Sequence, residues 1–420
     1  MLMQPIRFVF LTVTLVVAAR GQVTPTLTTL YSFQGGDDGG GPTALVRGSN
    51  GVLYGATNGG KFSQGTLFKL TPPGPGQTQW THTVLYEFGT VPGDGQAPFG
   101  PLAIDASGVL YGATFAGGTA GSGMAFRLSP PAAGSAKWTE TVLYTFQAPG
   151  LVYPQGGLTL DAQGNLYGTA TGSGVNAGGV FRLSPPNVVG APWTETTLYT
   201  FTGGSDGGTP AGAVILDTSG NLYSTTAYGG IQSANHGGLG VVFELSPPAI
   251  AGGAWTESVL YSFRNANTGY QPFFGVTMNS GGSLFGATET GPLGYGDVYE
   301  VTPPAVAGQE WTETIVHNFH STDGAFPSTL VFDGKGNLYG FAGAGGSSAC
   351  SGGGCGTVFK FFPPNSPGGP WRPGWSFEFS NAPNPYRPYG NLVITPGGTI
   401  FGTTSAGGSA GFGTVYQLVP

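Results

Sequence analysis

Four aspartates recur in one short phrase, Asp-Gly-x-x-Pro: Asp38 in DGGGP, Asp94 in DGQAP, Asp206 in DGGTP and Asp323 in DGAFP. At the matching places three other segments read PGLVYP from 149, NTGYQP from 267 and NPYRPY from 384, which adds Tyr153, Tyr270, Tyr386 and Tyr389 to Phe326. Carboxylates gathered on one face accept hydroxyl hydrogen bonds, hold Ca²⁺, or serve in pairs as acid and base in glycoside cleavage. Aromatic rings beside them stack on the apolar faces of sugars or peptides. The same phrase also reads as an Asx turn that feeds a Pro into the start of a strand, and for the aspartates we favour that turn reading. His236 stands in a long Gly-rich loop, AYGGIQSANHGGLG from 227, and is a further contact candidate, although no carboxylate accompanies it there.

A catalytic constellation does not emerge. The four histidines are His82, His236, His317 and His320. His82 and His317 fall where related segments carry Glu or Tyr, so drift within a repeat accounts for them. No nucleophile elbow, metalloprotease pair or phosphate-binding Gly loop stands in a suitable context. The expectation is a binding or structural module rather than an enzyme, with no cofactor beyond a Ca²⁺ the aspartates could hold. A secreted hydrolase or lyase working through those aspartates is the alternative. The two cysteines, Cys350 and Cys355 in SSACSGGGCGTVF from 347, have neither the ligand number of a zinc site nor the spacing of a redox motif. They read as a disulfide that staples one loop.

The elements that must position these residues are set by an internal repeat. Trp80, Trp138, Trp193, Trp255, Trp311 and Trp371 recur at intervals of 55 to 62 residues, four of them opening near-identical phrases such as WTETVLYTF. A second phrase, best seen as LTLDAQGNLYGTA at 158–170, repeats its aromatic at Tyr54, Tyr111, Tyr167, Tyr223, Phe285, Tyr339 and Phe401. A third, GTLFKLTPP from 65, repeats its own at Phe68, Phe126, Phe181, Phe243, Tyr299, Phe359 and Tyr416. Each unit therefore holds four short β-type runs, a to d, separated by Gly, Pro, Asn and Asp. In the third unit they are Gly157–Leu160, Asn165–Ala170, Gly179–Leu183 and Trp193–Phe201. A four-stranded meander cannot bury both of its faces alone, so seven copies predict an all-β fold, a seven-bladed β-propeller of antiparallel blades. The units run about 27–79, 80–137, 138–192, 193–254, 255–310, 311–370 and 371–420, in one domain over 22–420. The first phrase after the leader is a d run and the last is a c run. Residues 27–33 are thus expected to complete the blade built by 390–420 and close the ring, which removes exposed edges. With run a innermost, the d-to-a and b-to-c connections share one face.

Composition agrees. The chain has 420 residues with 79 Gly and 34 Pro, yet 39% are hydrophobic, 13% aromatic and only 8% charged. Disordered chains show the reverse, so the glycines punctuate something ordered. A net charge of −7 without a basic stretch argues against nucleic acid. Residues 1–21 read as a secretory signal peptide, with Arg7 ahead of an apolar stretch from Phe8 to Ala19 that is too short to span a membrane. The mature chain is expected outside the cytoplasm, as a monomer without a membrane span.

The compound motif WTETVLYTF, then G-x-L-x-x-D-x-x-G-N-L-Y-G-T-T, then G-G-x-V-F-x-L-S-P-P resembles the Gloeo/Verruco (GloVer) tandem repeat of exported bacterial proteins, also described as choice-of-anchor proteins. The likeness covers residues 27–420. It implies an exported bacterial repeat protein of propeller type and carries over no catalytic residue. Proteins of that description often end in an anchoring segment, whereas this sequence stops at QLVP inside the last repeat, so free secretion is expected. The partner expected is a glycan, as a polysaccharide, or a surface protein.

Overall fold

The structure, a computed structural model, describes residues 24–172, 177–188, 190–231, 238–250, 252–264, 269–306, 308–350, 353–366 and 368–420. The expected leader and His236 lie outside them. Four antiparallel strands build each of seven sheets. In the first blade these are a, Gly40–Arg47; b, Leu53–Gly59; c, Thr66–Thr71; and d, Thr81–Glu87. The last blade takes a, b and c from Tyr386–Ile394, Ile400–Ala406 and Thr414–Val419, and its outer strand from Thr26–Ser32 at the other end of the chain. Leu27 pairs with Leu418 and Thr28 with Gln417. The ring closes as the phase of the repeat predicts, and a unit counted from Trp to Trp is offset by one strand from a blade. Among the described residues no helix is long and apolar enough to cross a membrane.

The repeated aromatics lock neighbouring blades together. The Phe that ends each d strand meets the aromatic of the next blade's c strand, as in Phe33–Phe68 at 5.2 Å, Phe146–Phe181 at 5.0 Å and Phe379–Tyr416 at 5.2 Å between ring centroids. The Trp ahead of strand d packs on the b-strand aromatic of the preceding blade, for instance Tyr54–Trp138 at 5.9 Å. The hydrophobic core is therefore a series of seams between blades, and each buried cluster draws on two of them. The Gly after the b-strand Tyr leaves room for this packing. A Cβ at Gly55 would sit 2.4 Å from the Phe68 ring.

A second device gives the Gly and Pro content its purpose. The residue before the Pro of each strand a has positive φ: Gly41, Ala97, Tyr153, Thr209, Gln271, Phe326 and Arg387. Each donates its N–H to a carbonyl in the preceding blade's b-to-c loop, as Ala97 does to Gln64 at 2.8 Å and Arg387 to Cys355 at 2.7 Å. The adjoining Pro packs on the Gly that opens that blade's strand c. At Gly178, with φ of +96°, a Cβ would lie 2.6 Å from Cδ of Pro210.

Strand a departs from expectation in the third blade. It is split into Leu151–Pro154 and Thr159–Leu160 instead of running over 157–160. The break is a close approach at the axis, where a Cβ on Gly100 would meet the Gly157 nitrogen at 2.4 Å. Inner strands there pass too near one another for side chains.

Candidate binding face

The d-to-a and b-to-c connections do share one face, since the N–H at the head of every strand a reaches the neighbouring b-to-c loop. Among the described residues, the nine exposed aromatics all belong to this face or to its axial mouth: Phe62, Phe115, Tyr153, Tyr228, Phe274, Tyr295, Phe326, Tyr389 and Phe412. On the opposite face the exposed hydrophobics are aliphatic, namely Val188, Ile250 and Val306 in c-to-d loops. Phe115 and Tyr153, contributed by adjacent blades and both more than a third exposed, stack at 5.1 Å with an interplanar angle of 26°. A flat, open ring pair of this kind is a stacking platform.

The structure divides the sequence candidates. Tyr153 lies on the open face, and Phe326 and Tyr389 line the axial mouth. Tyr270 and Tyr386 pack against the cores of their own seams. The four aspartates are turn braces. Asp38 accepts from the Tyr31 hydroxyl at 2.6 Å and the Gln34 N–H at 3.0 Å. Asp94 accepts from Tyr86 at 3.0 Å and from the N–H groups of Gly89 and Gly95 at 2.9 and 2.8 Å. Asp206 takes Tyr199 at 3.2 Å and the Thr202 N–H at 2.8 Å, and Asp323 takes His317 Nε2 at 3.0 Å and the His320 N–H at 2.8 Å. Each carboxylate serves its own turn, so the four do not gather at one centre. Among the described residues no group of three or more His, Cys, Asp and Glu could hold a metal ion. Cys350 and Cys355 are disulfide-bonded, as expected, and Cys355 also receives the interblade bond from Arg387.

These braces extend across the seams. Tyr31 stacks on His82 at 4.3 Å, and the Tyr261 hydroxyl donates to Glu313 at 3.4 Å. The acid of the WTE phrase thus faces the preceding d-strand Tyr. Burial, and after it Asp94, pushes the Glu140 carboxyl up to about 7. Burial and Asp206 do the same to Glu257, and burial alone lifts Glu313 to about 7. In each of the three, one carboxyl oxygen has no hydrogen-bond partner among the described residues. Burial also drives Asp297, on the fifth blade's strand c, up to about 8. His317, which drift within the repeat would explain, instead replaces the Tyr donor to its aspartate.

At the axis the inner strands leave a cavity of about 210 Å³, lined by all seven blades. Its aromatic side includes Phe99, Phe273, Phe341 and Tyr389, and burial raises the Tyr389 hydroxyl, so it stays protonated at neutral pH. Tyr389 was a sequence candidate, whereas sequence reasoning missed Phe99, Phe273 and Phe341 and the rim rings Phe62, Phe115, Tyr228, Tyr295 and Phe412. The signal was present: four of the five rim rings stand in the b-to-c loops that the topology puts on this face, and Phe115 lies two residues before the end of the strand Leu110–Gly117 that leads into one.

The Gloeobacter/Verrucomicrobia repeat model matches residues 18–239 and 228–420, and the chain belongs to that family. No curated protein matches it. Among solved structures, it is similar to the extracellular domain of a protein from B. thetaiotaomicron described as a one-component system, at 12% identity and a TM-score of 0.53. That match covers 95% of this chain and 42% of the other, so the chain spans less than half of that relative's length. A luciferin-regenerating enzyme aligns over 78% of this chain and 92% of its own, at 13% identity and a TM-score of 0.44. The first of these likenesses concerns the fold alone.

Proposed function

We propose that the protein is an exported binding propeller that holds a neutral polysaccharide against its d-to-a and b-to-c face. The observation that carries this reading is the confinement of every exposed aromatic among the described residues to that face and its mouth, with the Phe115–Tyr153 stack as the platform. The surrounding loops are mostly backbone, and only 8% of residues are charged, so recognition rests on ring stacking and backbone hydrogen bonds. Those suit a hydroxyl-rich, uncharged polymer better than a charged one. The bonded aspartates favour binding over acid–base chemistry, since a carboxylate that braces its own turn is not free to move a proton. Export is supported by the disulfide and by the signal-like leader in the sequence.

Thermal unfolding of the mature protein with a panel of soluble neutral and anionic polysaccharides tests this. A ligand of the folded state raises the midpoint. The proposal expects a rise with at least one neutral polymer that disappears in the Phe115→Ala/Tyr153→Ala double variant. A rise confined to anionic polymers, or one that survives the double substitution, contradicts it.

A further inference from the structure

The axial cavity has a chemistry of its own, distinct from the rim. Phe99, Phe273, Phe274, Phe326, Phe341 and Tyr389 wall one side, with Phe99 and Tyr389 edge to face at 6.4 Å. The facing side is small: Gly156, Ala211 and Gly212. No Asp, Glu, Lys, Arg or His lines it. Threonines along the inner strands are already engaged, as Thr43 donates to the Pro98 carbonyl at 3.0 Å and Thr329 to that of Gly390 at 3.2 Å. Ser328 differs. It is only 5% exposed, and its hydroxyl opens on the cavity and makes no hydrogen bond among the described residues. The side-chain amide of Gln155, at the same cavity, also has none among them. A hydroxyl that opens on the cavity and has no protein partner is available to pair with a group that enters.

Size and polarity define the entrant. A cavity of roughly 150 Å³ lined by apolar side chains accommodates benzene. The axial space of about 210 Å³ therefore holds one aromatic ring with one or two substituents. A carboxylate or ammonium would lose its hydration without a countercharge, and a sugar would leave most of its hydroxyls unpaired. We propose that the axial cavity binds a neutral monocyclic phenol or aryl alcohol, its ring against the aromatic wall and its hydroxyl bonded to Ser328. This stands apart from polysaccharide binding at the rim.

Calorimetric titration of the full exported chain with p-cresol, benzoate, glucose and choline decides the matter. The expected result is saturable, single-site binding of p-cresol alone. It should be about tenfold weaker in Ser328→Ala, which removes one oxygen from the wall. It should be absent in Ala211→Phe, which fills the space. Polysaccharide-induced stabilisation should persist in Ser328→Ala, so that failure at the axis and failure at the rim are told apart. Absence of saturation by p-cresol, equal affinity in the wild type and both variants, or binding of choline or benzoate in its place overturns the proposal.

Discussion

At the residue scale, the aspartates that look like ligands in the sequence turn out to be structural acceptors. Asp94 is 7% exposed and takes four hydrogen bonds across the connection from the first blade's strand d to the second blade's strand a, including one from the Thr90 N–H at 3.3 Å. Asp94→Ala should cost about 2–4 kcal/mol in urea unfolding, because several buried donors lose their acceptor. A ligand role would instead change binding and leave stability alone. The half-buried glutamates add a pH dependence. Their folded pKa values lie above the unfolded value of 4.5, so the folded state holds more protons between about 4.5 and 7. The stability they contribute is complete below 4.5 and declines as pH rises towards 7. His82 runs the other way, since burial depresses its pKa despite Asp38. The comparison must therefore be made against Glu140→Gln/Glu257→Gln. Wild type should lose more of its midpoint between pH 5 and pH 8 than this variant does; equal losses would refute the assignment.

At the scale of the elements, the strands and their phase were legible because each phrase of the repeat carries one aromatic that locks a seam. The Trp recurs six times and the two other aromatics seven times each, and period and aromatic identity suffice to read them. The interblade clasp was not legible. It depends on a positive φ before Pro and on a Gly in the neighbouring blade, and neither leaves a periodic hydrophobic signal. Gly178→Ala should destabilise the protein by about 2–4 kcal/mol, since it combines strain at positive φ with a clash on Pro210. Gly334→Ala, in an open hairpin turn with nothing within 4 Å, should change little. Equal effects at the two sites in chemical denaturation would remove the clasp from the account. The aromatic face was half legible: Tyr153, Phe326 and Tyr389 were named, while Phe115 and the loop rings were hidden because only the d-to-a segments show a recurring pattern.

At the scale of the whole molecule, ring closure and function meet. The strand Thr26–Ser32 completes the last blade, and its neighbour Gly35 packs under Phe412 on the aromatic face. Closure therefore holds part of that face in place as well as sealing an edge. The most direct test of the central claim, that one face of a closed ring carries the binding, is affinity electrophoresis through gels containing the polysaccharide that stabilises the wild type. Three proteins should be compared: wild type, the rim variant Phe115→Ala/Tyr153→Ala, and the opposite-face variant Val188→Ser/Ile250→Ser. The account predicts retardation of the wild type and of the opposite-face variant, with retardation lost in the rim variant. Retardation that survives in the rim variant, or is lost in the opposite-face variant alone, would contradict it.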